Sequence, residues 1–108
     1  MLHLTSSNFE TEIIHTKSPV VVMFYADWCA KCAMMKPVVS DLEKKFAGKV
    51  RFGEVEIEES AELAADYGAD NLIPTFILFK QGKPAGILKG LIDENVFEQR
   101  IKKIFINC

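Results

Sequence analysis

Hydrophobic and polar positions alternate along this chain in blocks that predict its elements. Val20 to Tyr25 is an unbroken apolar run after Pro19. Rich in β-branched and aromatic side chains and too short for a buried helix, it reads as a strand covered on both faces. Beyond it, Met35, Val38, Val39, Leu42 and Phe46 recur at helical spacing, while Lys36, Ser40, Asp41, Glu43, Lys44 and Lys45 fall opposite. This predicts an amphipathic helix that ends before Gly48. Pro37 lies inside the pattern, and because the apolar spacing continues past it, we expect a kink rather than an end.

Flanking segments are weaker. Leu2 to Leu4 suits a short edge strand, and Ser7-Asn8-Phe9-Glu10 fits a capping box for a helix whose inward residues are Phe9 and Ile13. Val50 to Glu58 reads as a strand with imperfect alternation, interrupted by Gly53, Glu54 and Glu56. A short helix then runs from about Ser60 or Ala61 to Tyr67 and closes at Gly68. A loop through Ile73-Pro74 leads into a strand from Thr75 to Phe79, which turns at Gln81-Gly82 and returns as Ala85 to Lys89. Asp93 suits the cap of a last helix with Phe97, Ile101, Ile104 and Phe105 inward. The order βαβαβαββα implies an α/β fold: parallel strands joined by helices on both faces, with a terminal hairpin that makes the sheet mixed.

Composition narrows the class. With 108 residues and 49% hydrophobic content, residues 1–108 are expected to form one domain with one core. A net charge of −2 with interspersed signs gives no basic patch, which argues against nucleic acid or an anionic membrane as partner. No apolar run approaches a membrane span, and Met1-Leu2-His3-Leu4-Thr5 lacks a basic segment followed by an apolar one, so a cytoplasmic location is expected. Three cysteines are too few for a disulfide framework.

Two of them, Cys29 and Cys32, sit two residues apart between the apolar strand and the long helix. Cys29 is expected at or just before the helix N-terminus, where unpaired N–H groups and the helix dipole favour a thiolate, with Lys31 adding positive charge. Thiolates attack disulfides, so Cys29 is the expected nucleophile and Cys32, deeper in, the resolving thiol. A structural zinc site would need about four ligands. Only Cys108, His3 and His15 remain, all remote in sequence, so neither metal nor bound cofactor is expected; both histidines read as surface or boundary residues, and Cys108 as a dangling thiol.

The segment Ala26-Asp27-Trp28-Cys29-Ala30-Lys31-Cys32, with Pro37, Ile73-Pro74-Thr75, Gly82 and Gly90, resembles the thioredoxin family over nearly the whole chain. The resemblance implies the thioredoxin fold and thiol-disulfide oxidoreductase activity on protein disulfides, without a bound cofactor. It also implies an electron donor such as a thioredoxin reductase or related flavoprotein. The sequence leaves the oligomeric state open, with monomer as the default. By itself Pro74 reads as a loop proline opening a strand; the resemblance makes it a cis proline against the cysteine pair. Trp28, Ile73, Pro74 and Gly90 or Leu91 would then line a shallow substrate groove, where Ile73 offers backbone hydrogen bonds.

The sequence departs from that family in several places. The buried Asp usual on the central strand is replaced by Met23, and the Lys usual on the adjoining strand by Glu54. Losing both members of a buried pair is easier to accommodate than losing one. Glu54 either supplies the missing carboxylate, as general base toward Cys32, or reaches solvent at the end of its strand like Glu56 and Glu58. Ala30-Lys31 replaces the usual Gly-Pro, which predicts a reduction potential less negative than the roughly −270 mV of thioredoxin. The segment between Gly68 and Pro74 is one residue longer than the family norm. Rival functions are a disulfide isomerase, a reductase dedicated to one client, and a non-enzymatic binding module on the same fold.

Overall fold

The computed structural model describes residues 1–106, and Cys108 therefore lies outside the described residues. Five strands form one mixed sheet: β1 (Leu2–Leu4), β2 (Val20–Tyr25), β3 (Arg51–Glu56), β4 (Thr75–Lys80) and β5 (Lys83–Lys89), in the order β1-β3-β2-β4-β5. The helices are α1 (Ala30–Lys45), α2 (Ala61–Asp66) and α3 (Glu94–Ile101), with π-helical turns at Glu10–Ile14 and Lys102–Ile106. β2 pairs parallel with β3 and antiparallel with β4, and β1 pairs parallel with β3.

All six residues of β2 are buried, as its apolar run requires. Its pleat divides them between two cores. Val21, Met23 and Tyr25 join Cys29, Cys32, Met35, Val39, Leu42, Phe97 and Ile101 on the α1 and α3 side. Val20, Val22 and Phe24 join Phe9, Ile13, Ala64 and Phe79 on the other. Period-two alternation in one strand thus feeds both faces.

Where the expected and observed elements differ, local hydrogen bonding explains it. The first helix is a single π-helical turn rather than a helix from Ser7, and Ser7 and Glu10 do not form its box. Instead the Thr5 hydroxyl accepts the Ser7 N–H at 3.2 Å, and the Asn8 side chain accepts the Thr5 N–H at 2.8 Å. Phe9 and Ile13 still point inward. β3 stops at Glu56, short of Glu58, because the Glu56 carboxylate accepts the backbone N–H groups of Glu58 and Glu59 at 2.5 and 2.7 Å and turns the chain. Glu56 is therefore buried, not solvated at a strand end.

The broken alternation in β3 also has a cause. A Cβ on Gly53 would lie 2.7 Å from the Leu4 side chain, so glycine is what lets β1 close against this strand. At the β4–β5 hairpin, Gln81 and Gly82 both have positive φ (52° and 79°), a two-residue loop of the hand that strand twist favours. A Cβ on Gly82 would sit 2.2 Å from the Ile14 carbonyl oxygen, so this turn presses directly on the N-terminal segment. Helix α1 runs through Pro37 without interruption, and Asp93 caps α3 by accepting the N–H groups of Asn95 and Val96.

Candidate active site

The end of β2, the start of β4 and the end of β5 lie at one edge of the sheet, because β4 is antiparallel to both neighbours. Three connections meet there. The first carries Trp28 and Cys29, the second Leu72, Ile73 and Pro74, and the third Gly90 and Leu91.

Cys29 is the N-cap residue of α1, in extended conformation, and its Sγ accepts the Cys32 backbone N–H at 3.1 Å. A serine or aspartate does the same at ordinary helix starts; here a sulfur takes the role. Cys29 and Cys32 are joined as a disulfide, with Cα atoms 5.2 Å apart. When the pair is reduced, the same N–H group and the positive end of the helix dipole face the Cys29 sulfur and favour negative charge on it. Cys29 remains 9% exposed and Cys32 only 1%. The outer sulfur is thus the one a bulky disulfide reaches first.

The Ile73-Pro74 bond is cis. The Pro74 carbonyl accepts the Gly90 N–H at 2.8 Å, and the Thr75 hydroxyl donates to the Leu72 carbonyl, so the loop is tied at both ends. The Ile73 carbonyl oxygen lies 3.9 Å from Cys29 Sγ. Among the described residues the Ile73 N–H has no backbone partner, which leaves it available to an added strand. Around these atoms Trp28 is 66% exposed, with Leu91 and Leu72 about half exposed. A large ring with two-thirds of its surface in water is expensive to maintain and suits a contact surface. Leu72 was not among the expected groove residues. Its signal would have been an apolar side chain beside Ile73 in a loop that is otherwise polar.

Glu54 does not simply reach solvent. It stands opposite Met23 in the β2–β3 register, and its Oε2 accepts the Tyr25 hydroxyl at 3.1 Å and meets His3 Nδ1 at 3.0 Å. Burial and the neighbouring Glu54 carboxylate push the Tyr25 phenol well above its ordinary range, so it stays a donor. Lys36 on α1 lies 4.5 Å from the centre of the Tyr25 ring. Lys31 is exposed and makes no ion pair among the described residues. Tyr25 and His3 were not read as site residues. Only the register across three strands brings them to Glu54.

Comparison with known proteins shows the family. The family model described as Thioredoxin matches residues 1–103. The chain belongs to the thioredoxin family. It is 34% identical over 104 residues to the chloroplastic thioredoxin M4 of Arabidopsis thaliana, covering 96% of this chain but 53% of that longer relative. It is also similar to thioredoxin 1 of a Nostoc species, at 32% over 100 residues, which are 93% of this chain and 92% of the relative. A thioredoxin of Rickettsia felis is 34% identical over 101 residues, 94% and 95% of the two chains. With a cysteine pair bonded at the start of α1, this thioredoxin-family chain is a thiol-disulfide oxidoreductase.

Proposed function

We propose that the protein reduces disulfide bonds in client proteins of the cytoplasm, acting as a monomer and drawing electrons from a thioredoxin reductase or related flavoprotein. The Cys29 thiolate attacks one sulfur of the client disulfide, forming a mixed disulfide and releasing the other sulfur as a thiolate that takes up a proton. Cys32 then loses its proton and attacks Cys29 Sγ, expelling the second client thiolate. The client gains two electrons and two protons, and the protein is left with the Cys29-Cys32 bond. The observation that carries this reading is the Cys32 N–H on Cys29 Sγ at 3.1 Å, beside the Ile73 carbonyl. Trp28, Ile73, Pro74, Gly90 and Leu91 form the client groove, and Lys31 adds positive charge near the nucleophile. Glu54 is the general base toward Cys32 in place of the family's buried Asp.

Replacing Cys32 with Ser tests the cycle. The variant is expected to accumulate clients covalently bound through Cys29, releasable by a reductant, and to lose turnover. Client binding without any covalent adduct would instead identify a passive module. The Ala30-Lys31 dipeptide favours isomerisation as a second reading, because it removes a proline and adds a cation beside the nucleophile. Insulin reduction measured against refolding of a scrambled protein separates the two, and a potential at or below roughly −270 mV would exclude the isomerase reading.

A further inference from the structure

His3 on the edge strand β1 is gripped from two sides. Its Nδ1 lies 3.0 Å from Glu54 Oε2 and its Nε2 lies 2.6 Å from Glu59 Oε1. Ionised carboxylates only accept hydrogen bonds, and a neutral imidazole has one N–H, so it can serve one of these partners and must turn a lone pair toward the other. Only the imidazolium serves both. Glu54 Oε2 also accepts the Tyr25 hydroxyl at 3.1 Å, so a single oxygen is shared by side chains from β1 and β2. Tyr25 in turn lies in the buried cluster that contains Cys29 and Cys32.

We infer that His3 is a positioning residue for thiol-disulfide exchange: as an imidazolium it holds Glu54 beside the Tyr25 hydroxyl, and when it loses its proton that hold is released. This rests on the reading of Glu54 as the base for Cys32. The shorter contact, to Glu59, keeps the remaining N–H on Nε2, so the Nδ1 lone pair comes to face Glu54. The surrounding charges fit this arrangement. Glu54 comes from β3, Glu59 from the turn before α2 and the Tyr25 hydroxyl from β2; from α1, Lys36 sits over the Tyr25 ring, while Glu43 is paired with the Met1 amino group. Glu56 and Asp27 act on Tyr25 rather than on His3. Hydrogen bonds to Glu54 and then Glu59 raise the His3 pKa above its ordinary value, so the release falls above the usual histidine range.

The experiment follows the resolving step, read as release of a peptide thiol after the mixed disulfide has formed, across pH 5 to 9, alongside NMR titration of the His3 ring. The wild-type rate is expected to show an inflection at the pH where His3 titrates. His3→Gln, at a half-exposed position, is expected to lose that inflection and keep the fold by circular dichroism. Glu59→Gln is expected to move the inflection and the His3 titration together to lower pH. Glu54→Gln is expected to slow the step about a hundredfold. If Glu54→Gln slows the step but His3→Gln keeps the inflection, the role of His3 is overturned and the Glu54 reading stands. If Glu54→Gln leaves the rate unchanged at every pH, the Glu54 reading fails and the inference fails with it.

Discussion

The two faces of the sheet are built from the same strand and have different characters. On the face away from α1, the rings of Phe9, Phe24, Tyr67 and Phe79 pack edge-on or tilted at centroid distances of 5.4 to 6.3 Å, with no sulfur among the described buried residues there. On the face toward α1, the core also holds rings, Phe76 and Phe97 meeting edge-on at 4.9 Å, but it adds Met23, Met35, Cys29 and Cys32, and its border carries the Tyr25–Glu54–His3 chain. Flexible thioethers tolerate changes of shape that interlocked rings do not. Among the described residues, the face toward α1 is thus the one that sets buried thioethers beside a disulfide that opens and closes.

The difference can be broken first where it is greatest. Phe79→Ala, in the aromatic face, is expected to cost about 3–5 kcal/mol in urea unfolding. The exchange rate of the fraction still folded should stay close to wild type. A large rate loss in folded Phe79→Ala protein would mean that the two faces are not separable. On the sulfur face, Met23→Leu conserves volume and is expected to cost under about 1.5 kcal/mol, although Met23 is fully buried. A cost as large as that of Phe79→Ala would show that this core is as tightly specified as the other.

Asp93→Ala removes the cap of α3, whose Phe97 and Ile101 close the sulfur face. The expected loss is about 1 kcal/mol in the same unfolding experiment, without a change in exchange rate. The smallest effect concerns pH. Because the folded-state pKa of His3 is raised, its contribution to stability is present in full below the ordinary histidine value and is lost as pH rises through the folded value. His3→Gln should flatten that decline. An unchanged slope would detach the edge of the sulfur face from its histidine.

Much of the site was legible because its chemistry is local. Cys29, Cys32 and the helix start they share are neighbours in sequence, and the strand-to-helix change of periodicity marks the turn between them. Val20–Tyr25 announced a doubly covered strand through an apolar run that solvent would penalise on either side. The N-terminal segment was harder. Its hydrogen bonds are divided among Thr5, Ser7 and Asn8, so several adjacent polar residues could equally have supplied the cap, and Ser7 was the wrong choice. The end of β3 was misread for a related reason, since a carboxylate that turns back on its own backbone looks the same in sequence as one that faces water.

By itself, then, the sequence determined the order of elements, the mixed sheet and the cysteine pair at a helix N-terminus, because periodicity and capping act over a few residues. Tertiary structure alone decided that the Gly90 N–H ties down the Pro74 carbonyl, that Gly53 admits the edge strand and that His3, Tyr25 and Glu54 converge. Those meetings depend on strand register. A shift of one residue would send each side chain to the opposite face, and nothing within a short window of sequence encodes which alignment the packed core will select.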